Sequence, residues 1–158
     1  MIHYEIDTTG NGYNTIQGDA ETIGDIRNIL IKNNRPARKL KAAFRMLTKR
    51  VNITPDCVGY ITTDNMPNSQ VCLSAQNELG MFLGITDNSE LYLSLFDSER
   101  LDNLVDVWGD GLYISRGLFI PEELAWKAIE NFILNGTLWD EIKWIDPDDL
   151  PENANYIC

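Results

Sequence analysis

Histidine and cysteine are scarce in this sequence of 158 residues: His3 is the only histidine, and Cys57, Cys72 and Cys158 are the only cysteines. A Ser-His-Asp or Cys-His nucleophilic site would have to use His3, and no GxSxG turn exists to receive it. The cysteines form no CxxC pair and no HxxxH occurs, so the common zinc spacings are excluded. Three scattered cysteines are too few for a disulfide framework. They are expected as reduced thiols in a cytosol, with Cys57 and Cys72 in core strands and Cys158 exposed at the last position. There is no Walker loop and no GxGxxG. The run from Asp106 to Gly111 lacks the acidic spacing of a calcium loop. Glu122-Glu123 and Asp148-Asp149 are paired carboxylates, but one pair opens a helix, where the dipole favours it, and the other lies in an acidic run. No metal, no cofactor and no enzymatic activity are therefore expected. No window holds eighteen apolar residues, so no membrane span is expected. The first residues lack the basic-then-apolar order of a secretory signal, and a cytoplasmic location is expected.

What the chain does have is acid, and it is unevenly placed. Residues 26–50 carry nine Lys and Arg and no Asp or Glu, whereas residues 51–158 carry nineteen acids and only Arg100, Arg116, Lys127 and Lys143 against them. Five more acids precede residue 26, and the net charge is −11. Excess acid with few catalytic residue types indicates a binder of something basic, since complementary charge speeds encounter. The basic segment suggests a second reading, a nucleic-acid-associated regulator that neutralises phosphates with Lys39, Lys41, Arg45 and Lys49. The segment lacks exposed aromatics for base stacking, and the surrounding acid repels phosphate.

The length fits a single globular domain, taken as residues 1–146, followed by an acidic, poorly ordered tail over 147–158. Residues 2–7 are expected as an edge strand. Asp19–Asn33 is expected as a helix capped by Asp19, with Ile23, Ile26 and Leu30 on one face. Pro36–Val51 is expected as a second helix with Leu40, Phe44, Leu47 and Val51 on its apolar stripe. From Cys57 the apolar period changes to two, giving strands near 57–63, 70–75, 79–85 and 91–96. Their turn-length connections require antiparallel neighbours. A short strand follows at 112–115. Pro121–Asn135 is a helix that starts on proline and acids and stops at Gly136. A last strand covers 142–145. The fold class is thus α+β: an antiparallel β-meander with two N-terminal helices and one C-terminal helix packed on the sheet.

The stretch from Leu112 to Asp146 resembles the C-terminal signature of the Imm1 family of bacterial immunity proteins. Pro121 opens the helix, Ala128 and Phe132 mark its inner face, Gly136 closes it, and a strand centred on Trp144 follows. In that family an acid typically follows the Trp directly; here Ile145 intervenes before Asp146. The resemblance covers about 35 residues and agrees with the rest of the chain in outline. It implies a small cytosolic protein that neutralises a toxin of a polymorphic or contact-dependent growth inhibition system, often a nuclease or deaminase. It carries over no catalytic residue, and Pro121, Gly136 and Trp144 look structural.

A nuclease needs a cationic surface to hold phosphates, and an inhibitor that occludes it should be acidic. The candidate contacts are the loop acids Asp87, Glu90, Asp97, Glu99, Asp102 and Asp106. Trp108 and Tyr113 are candidate aromatic anchors, the residue types that dominate interface energetics.

Overall fold

A computed structural model describes residues 1–8, 14–33 and 54–158. Seven strands form one antiparallel sheet: β1 (Ile2–Asp7), β2 (Thr15–Ala20), β3 (Cys57–Thr63), β4 (Ser69–Gln76), β5 (Gly80–Asp87), β6 (Glu90–Leu95) and β9 (Lys143–Ile145), in the order β2-β1-β3-β4-β5-β6-β9. A two-stranded ribbon pairs β7 (Leu104–Asp106) with β8 (Tyr113–Ser115). The helices among the described residues are α1 (Ile23–Asn33) and α2 (Glu122–Asn135). The class is α+β with an antiparallel meander, as expected, but with two described helices rather than three. The helix expected over Pro36–Val51 lies outside the described residues, as does most of the basic segment.

Alternation builds the first face. Ile2, Tyr4 and Ile6 of β1 and Cys57 and Ile61 of β3 are buried, and their neighbours point the other way. Onto this face α1 lays Ile23, Ile26 and Leu30, and α2 lays Ala125, Trp126, Ala128, Ile129, Phe132 and Ile133, forming the main core. The helix α2 ends as its sequence demands: Gly136 takes φ 68° and its N–H reaches the Phe132 carbonyl at 2.8 Å.

The central strands depart from simple alternation. β4 is buried continuously from Val71 to Ala75, because its second face is covered too. There a smaller cluster of Cys72, Phe82, Leu93, Ile114, Leu118 and Phe119 sits under the β7–β8 ribbon. Ser94 fastens this cap: its buried hydroxyl donates to the Leu118 carbonyl at 2.8 Å and accepts from the Leu83 N–H at 2.9 Å.

Three local expectations are corrected. Residues 2–7 are not an edge: β1 lies between β2 and β3, and β2 is the edge. Asp19 belongs to β2 and does not cap α1, which starts four residues later. Thr22 and Asp25 cap it reciprocally, the Asp25 N–H donating to Thr22 Oγ1 at 3.2 Å and the Thr22 N–H to the Asp25 carboxylate at 3.1 Å. The third correction concerns the C-terminus. Residues 147–158 do not trail free: Pro147–Asp149 form a 3-10 turn, Leu150 and Ile157 pack on the smaller cluster, and the Asn155 N–H donates to the Tyr113 carbonyl at 2.7 Å. Cys158 is exposed, as expected, but it is disulfide-bonded to Cys72, which overturns the reading of three reduced thiols.

Candidate functional site

His3, the one catalytic-type histidine, is already committed. Its Nδ1 lies 2.6 Å from an Asp19 carboxylate oxygen and its Nε2 2.8 Å from one of Asp64. The amino terminus adds an ion pair to Asp64 at 3.1 Å. Hydrogen bonds to Asp64 and then Asp19 raise the imidazole pKa above its ordinary 6.5, and the bond to His3 lowers that of Asp64. An imidazolium donating from both nitrogens has no lone pair for base catalysis. This group instead ties β1 to β2 and to the turn after β3. The raised His3 pKa gives stabilisation that is complete below 6.5 and fades as pH rises through the folded value. The lowered Asp64 pKa gives stabilisation present above its ordinary value and lost as pH falls through the folded one. An NMR titration should therefore place His3 above 6.5, and Asp64→Asn should move it back down; a His3 value that ignores the substitution would refute the arrangement.

Among the described residues no group of three or more His, Cys, Asp or Glu is placed to hold a metal, and no helix is long and apolar enough to cross a membrane.

The acidic candidates divide into two groups at opposite ends of β6. Asp87 and Glu90 face each other across the β5–β6 hairpin, whose two turn residues Asn88 and Ser89 take φ 47° and 76°. A two-residue loop with both φ positive matches the twist of the strands, so the hairpin projects as a rigid tip. Ser69 Oγ donates to Asp87 at 2.7 Å and fixes its carboxylate; the Tyr92 hydroxyl donates to Glu90. Asp97, Glu99 and Asp102 lie beyond the other end of β6, roughly 20 Å along the strand.

Local geometry separates them further. Asp97 accepts from the Glu99 N–H at 3.0 Å and caps a 3-10 turn. Asp106 accepts from the N–H groups of Gly109, Asp110 and Gly111 at 2.8, 3.2 and 3.0 Å, closing its own loop. Both carboxylates therefore serve the backbone. Glu99 and Asp102 are exposed on the cap. Trp108 is half-buried, and its Nε1 finds no hydrogen-bond partner among the described residues. Tyr113 is 46% exposed and its carbonyl holds the C-terminal segment.

The hairpin group belongs to a cleft of about 460 Å³ whose second wall is the C-terminal segment. β9 pairs with β6 in the register Leu93↔Ile145, so the chain leaves the sheet beside Tyr92. Asp146 then accepts from the Asp148 N–H at 2.9 Å, turning the chain at Pro147. Glu90, Tyr92, Asp146, Asp148 and Tyr156 line the cleft, with Asp87 close by and no Lys or Arg among the lining residues. The pKa of the Tyr92 phenol is raised, first by its hydrogen bond to Glu90, then by burial and by the charges of Glu90, Asp87 and Asp146. Three carboxylates thus act on one phenol. A guanidinium or ammonium entering here meets charged acceptors and two tyrosine rings.

Sequence reasoning found Asp87 and Glu90 and missed Tyr92, Asp146, Asp148 and Tyr156. The Asp-Pro-Asp run at 146–148 was the available signal, since an acid followed by proline is a turn start.

Arg27 of α1 donates to Glu123 at 3.1 Å and to Glu122 at 3.2 Å. Lys39, Lys41, Arg45 and Lys49 lie outside the described residues.

The described fold is α+β and carries an acidic cleft between the β5–β6 hairpin and the C-terminal segment. The chain matches no family model, no curated protein and no solved structure.

Proposed function

We propose that this chain is an immunity protein, one that binds a basic toxin domain of the nuclease type and occludes its active-site or substrate-binding surface. The observation that carries the reading is the cleft, where Glu90, Asp146 and Asp148 converge beside Tyr92 and Tyr156 with no basic lining residue. The net charge of −11 extends that preference over the whole molecule. The resemblance of Leu112–Asp146 to the Imm1 signature supports the same class. In this reading Arg or Lys side chains of the toxin enter the cleft, charge-assisted bonds set register, and the tyrosines contribute contact area.

The test is co-expression with the C-terminal domain encoded immediately upstream, followed by calorimetry at two salt concentrations. Binding at nanomolar Kd, about −12 kcal/mol, that weakens with salt is the expected result. Glu90→Lys with Asp148→Lys should weaken it at least tenfold, and neutralising Lys39, Lys41, Arg45 and Lys49 should leave protection intact. No binding, with an upstream product harmless to cells, would discard the proposal.

A further inference from the structure

We propose that the Cys72–Cys158 disulfide is a redox latch: oxidised, it holds residues 147–158 as a wall of the acidic cleft, and reduced, it releases them. The latch goes beyond the immunity reading and does not depend on what the cleft binds.

The two ends of the bond are unlike. Cys72 lies in the middle of β4 and is 2% exposed, whereas Cys158 ends the chain and is exposed. Their Cα atoms are 5.7 Å apart, within the span a disulfide bridges. Gly84, the register partner of Cys72 on β5, supplies the room. A Cβ at Gly84 would run into the Cys158 sulfur and come within 2.7 Å of that of Cys72. A strand interior disfavours glycine, so a glycine here marks a close approach.

Among the described residues the remaining hold on the segment is limited. Its hydrogen bonds at Leu150 and Ala154 go to its own carbonyls, that at Asp149 goes to Asp146, and the Asn155 N–H reaches Tyr113 on the body in a single bridge between Asn155 and Ile114. Leu150 and Ile157 are only partly buried on the smaller cluster. A segment held by so few contacts opens at low free energy unless something ties it down. Release takes Asp148 and Tyr156 out of the cleft and Leu150 and Ile157 off the smaller cluster, so one covalent bond controls both the acidic wall and part of an apolar contact.

The exchange chemistry is direct. A thiolate of a dithiol reductant attacks the Cys158 sulfur, the S–S bond breaks, and Cys72 leaves as a thiolate that takes up a proton. The second thiol of the reductant then closes on the mixed disulfide, freeing Cys158 as a thiol and leaving the reductant as its own disulfide. Glutathione disulfide drives the reverse, taking the two protein thiols to the bond and itself to two glutathiones. Cys57 does not compete, being buried in the main core with its pKa pushed up to about 12 by burial.

The test is backbone NMR relaxation on the full chain, oxidised and after dithiothreitol. Order parameters for residues 150–157 should fall from about 0.85 to below about 0.6 on reduction, while α2 stays near 0.85. Cys158→Ser should match the reduced protein. Gly84→Ala should show three free thiols in denaturant without reductant, where the parent shows one. Order parameters for 150–157 that stay high after reduction overturn the latch. So does loss of the α2 signals on reduction, which would make the bond a staple for the whole fold, and so do three free thiols in the oxidised parent. If Gly84→Ala does not fold, Cys158→Ser carries the test, since it removes the bond and adds no atom over Gly84.

Discussion

Phe82→Ala is expected to lower the unfolding free energy by about 4 kcal/mol, read as a drop in the urea midpoint at unchanged m-value. Phe82 is fully buried in the middle of β5 and points into the smaller cluster. Its ring centroid is 6.4 Å from that of Phe119, with the planes tilted by 56°, an edge-to-face type of contact. The ribbon above it has three residues per strand and cannot hold itself in place. Truncation removes the apolar transfer term, leaves a cavity and strips the ring contact together, and each adds to the loss. Phe82→Leu keeps much of the volume and is expected to lose about 1.5 kcal/mol. Tyr113→Ala, on the exposed side of the same ribbon, is expected to stay within about 0.5 kcal/mol. A loss under about 1 kcal/mol for Phe82→Ala would mean that the cluster does not hold the cap, because even a modest cavity exceeds it.

That cap also sets the limit of what the residues alone revealed. The strands β3 to β6 were legible because each is bounded by turn residues and joined to the next by a short connection, which leaves antiparallel pairing as the only option. The helix α2 was legible from proline and acids at its start and glycine after its end. Strand β2 was not: Thr15-Ile-Gln-Gly-Asp-Ala offers one large apolar side chain, because its inward positions Ile16, Gly18 and Ala20 sit at the sheet edge where little volume must be filled. β7 was hidden by its length, three residues within an acidic passage. The Cys72–Cys158 pair could not be read from spacing, since 86 residues separate the partners and only the return of the C-terminal segment over β4 brings them together. The candidate site divides in the same way. Asp87 and Glu90 were visible as hairpin acids. Asp146, Asp148 and Tyr156 were not, because the β6–β9 pairing imports them from the far end of the chain. Asp97 and Asp106 resembled their neighbours in sequence and differ from them in geometry, each occupied by backbone N–H groups.

Glu122 illustrates a residue whose sequence context explained only part of its role. As an acid in the first turn of α2 it suits the helix dipole, yet the structure gives it more to do. Its carboxylate accepts from the Thr54 hydroxyl at 2.6 Å, from the Thr54 N–H at 3.1 Å and from Arg27 at 3.2 Å. The Thr54 hydroxyl in turn accepts from the Trp126 indole N–H at 3.0 Å. Thr54 and Trp126 are 2% and 4% exposed, so water cannot readily replace a lost partner. Glu122→Ala is expected to destabilise by about 3 kcal/mol, the sum of two orphaned buried donors and a weakened ion pair, tempered by the partial exposure of Arg27. Glu122→Gln keeps an acceptor for Thr54 and gives up only the charge, and about 1 kcal/mol is expected. The ratio between the two variants is the informative quantity. If Gln costs as much as Ala, the charge pairing with Arg27 dominates and the network is an ion pair. If Gln is mild, Glu122 acts chiefly as the buried acceptor that joins α2 to residue 54, and the dipole and Arg27 are secondary. The exposed partner Glu123 supplies the control: it pairs with Arg27 while 69% of its side chain is exposed, so Glu123→Ala should lie within about 0.5 kcal/mol of the parent.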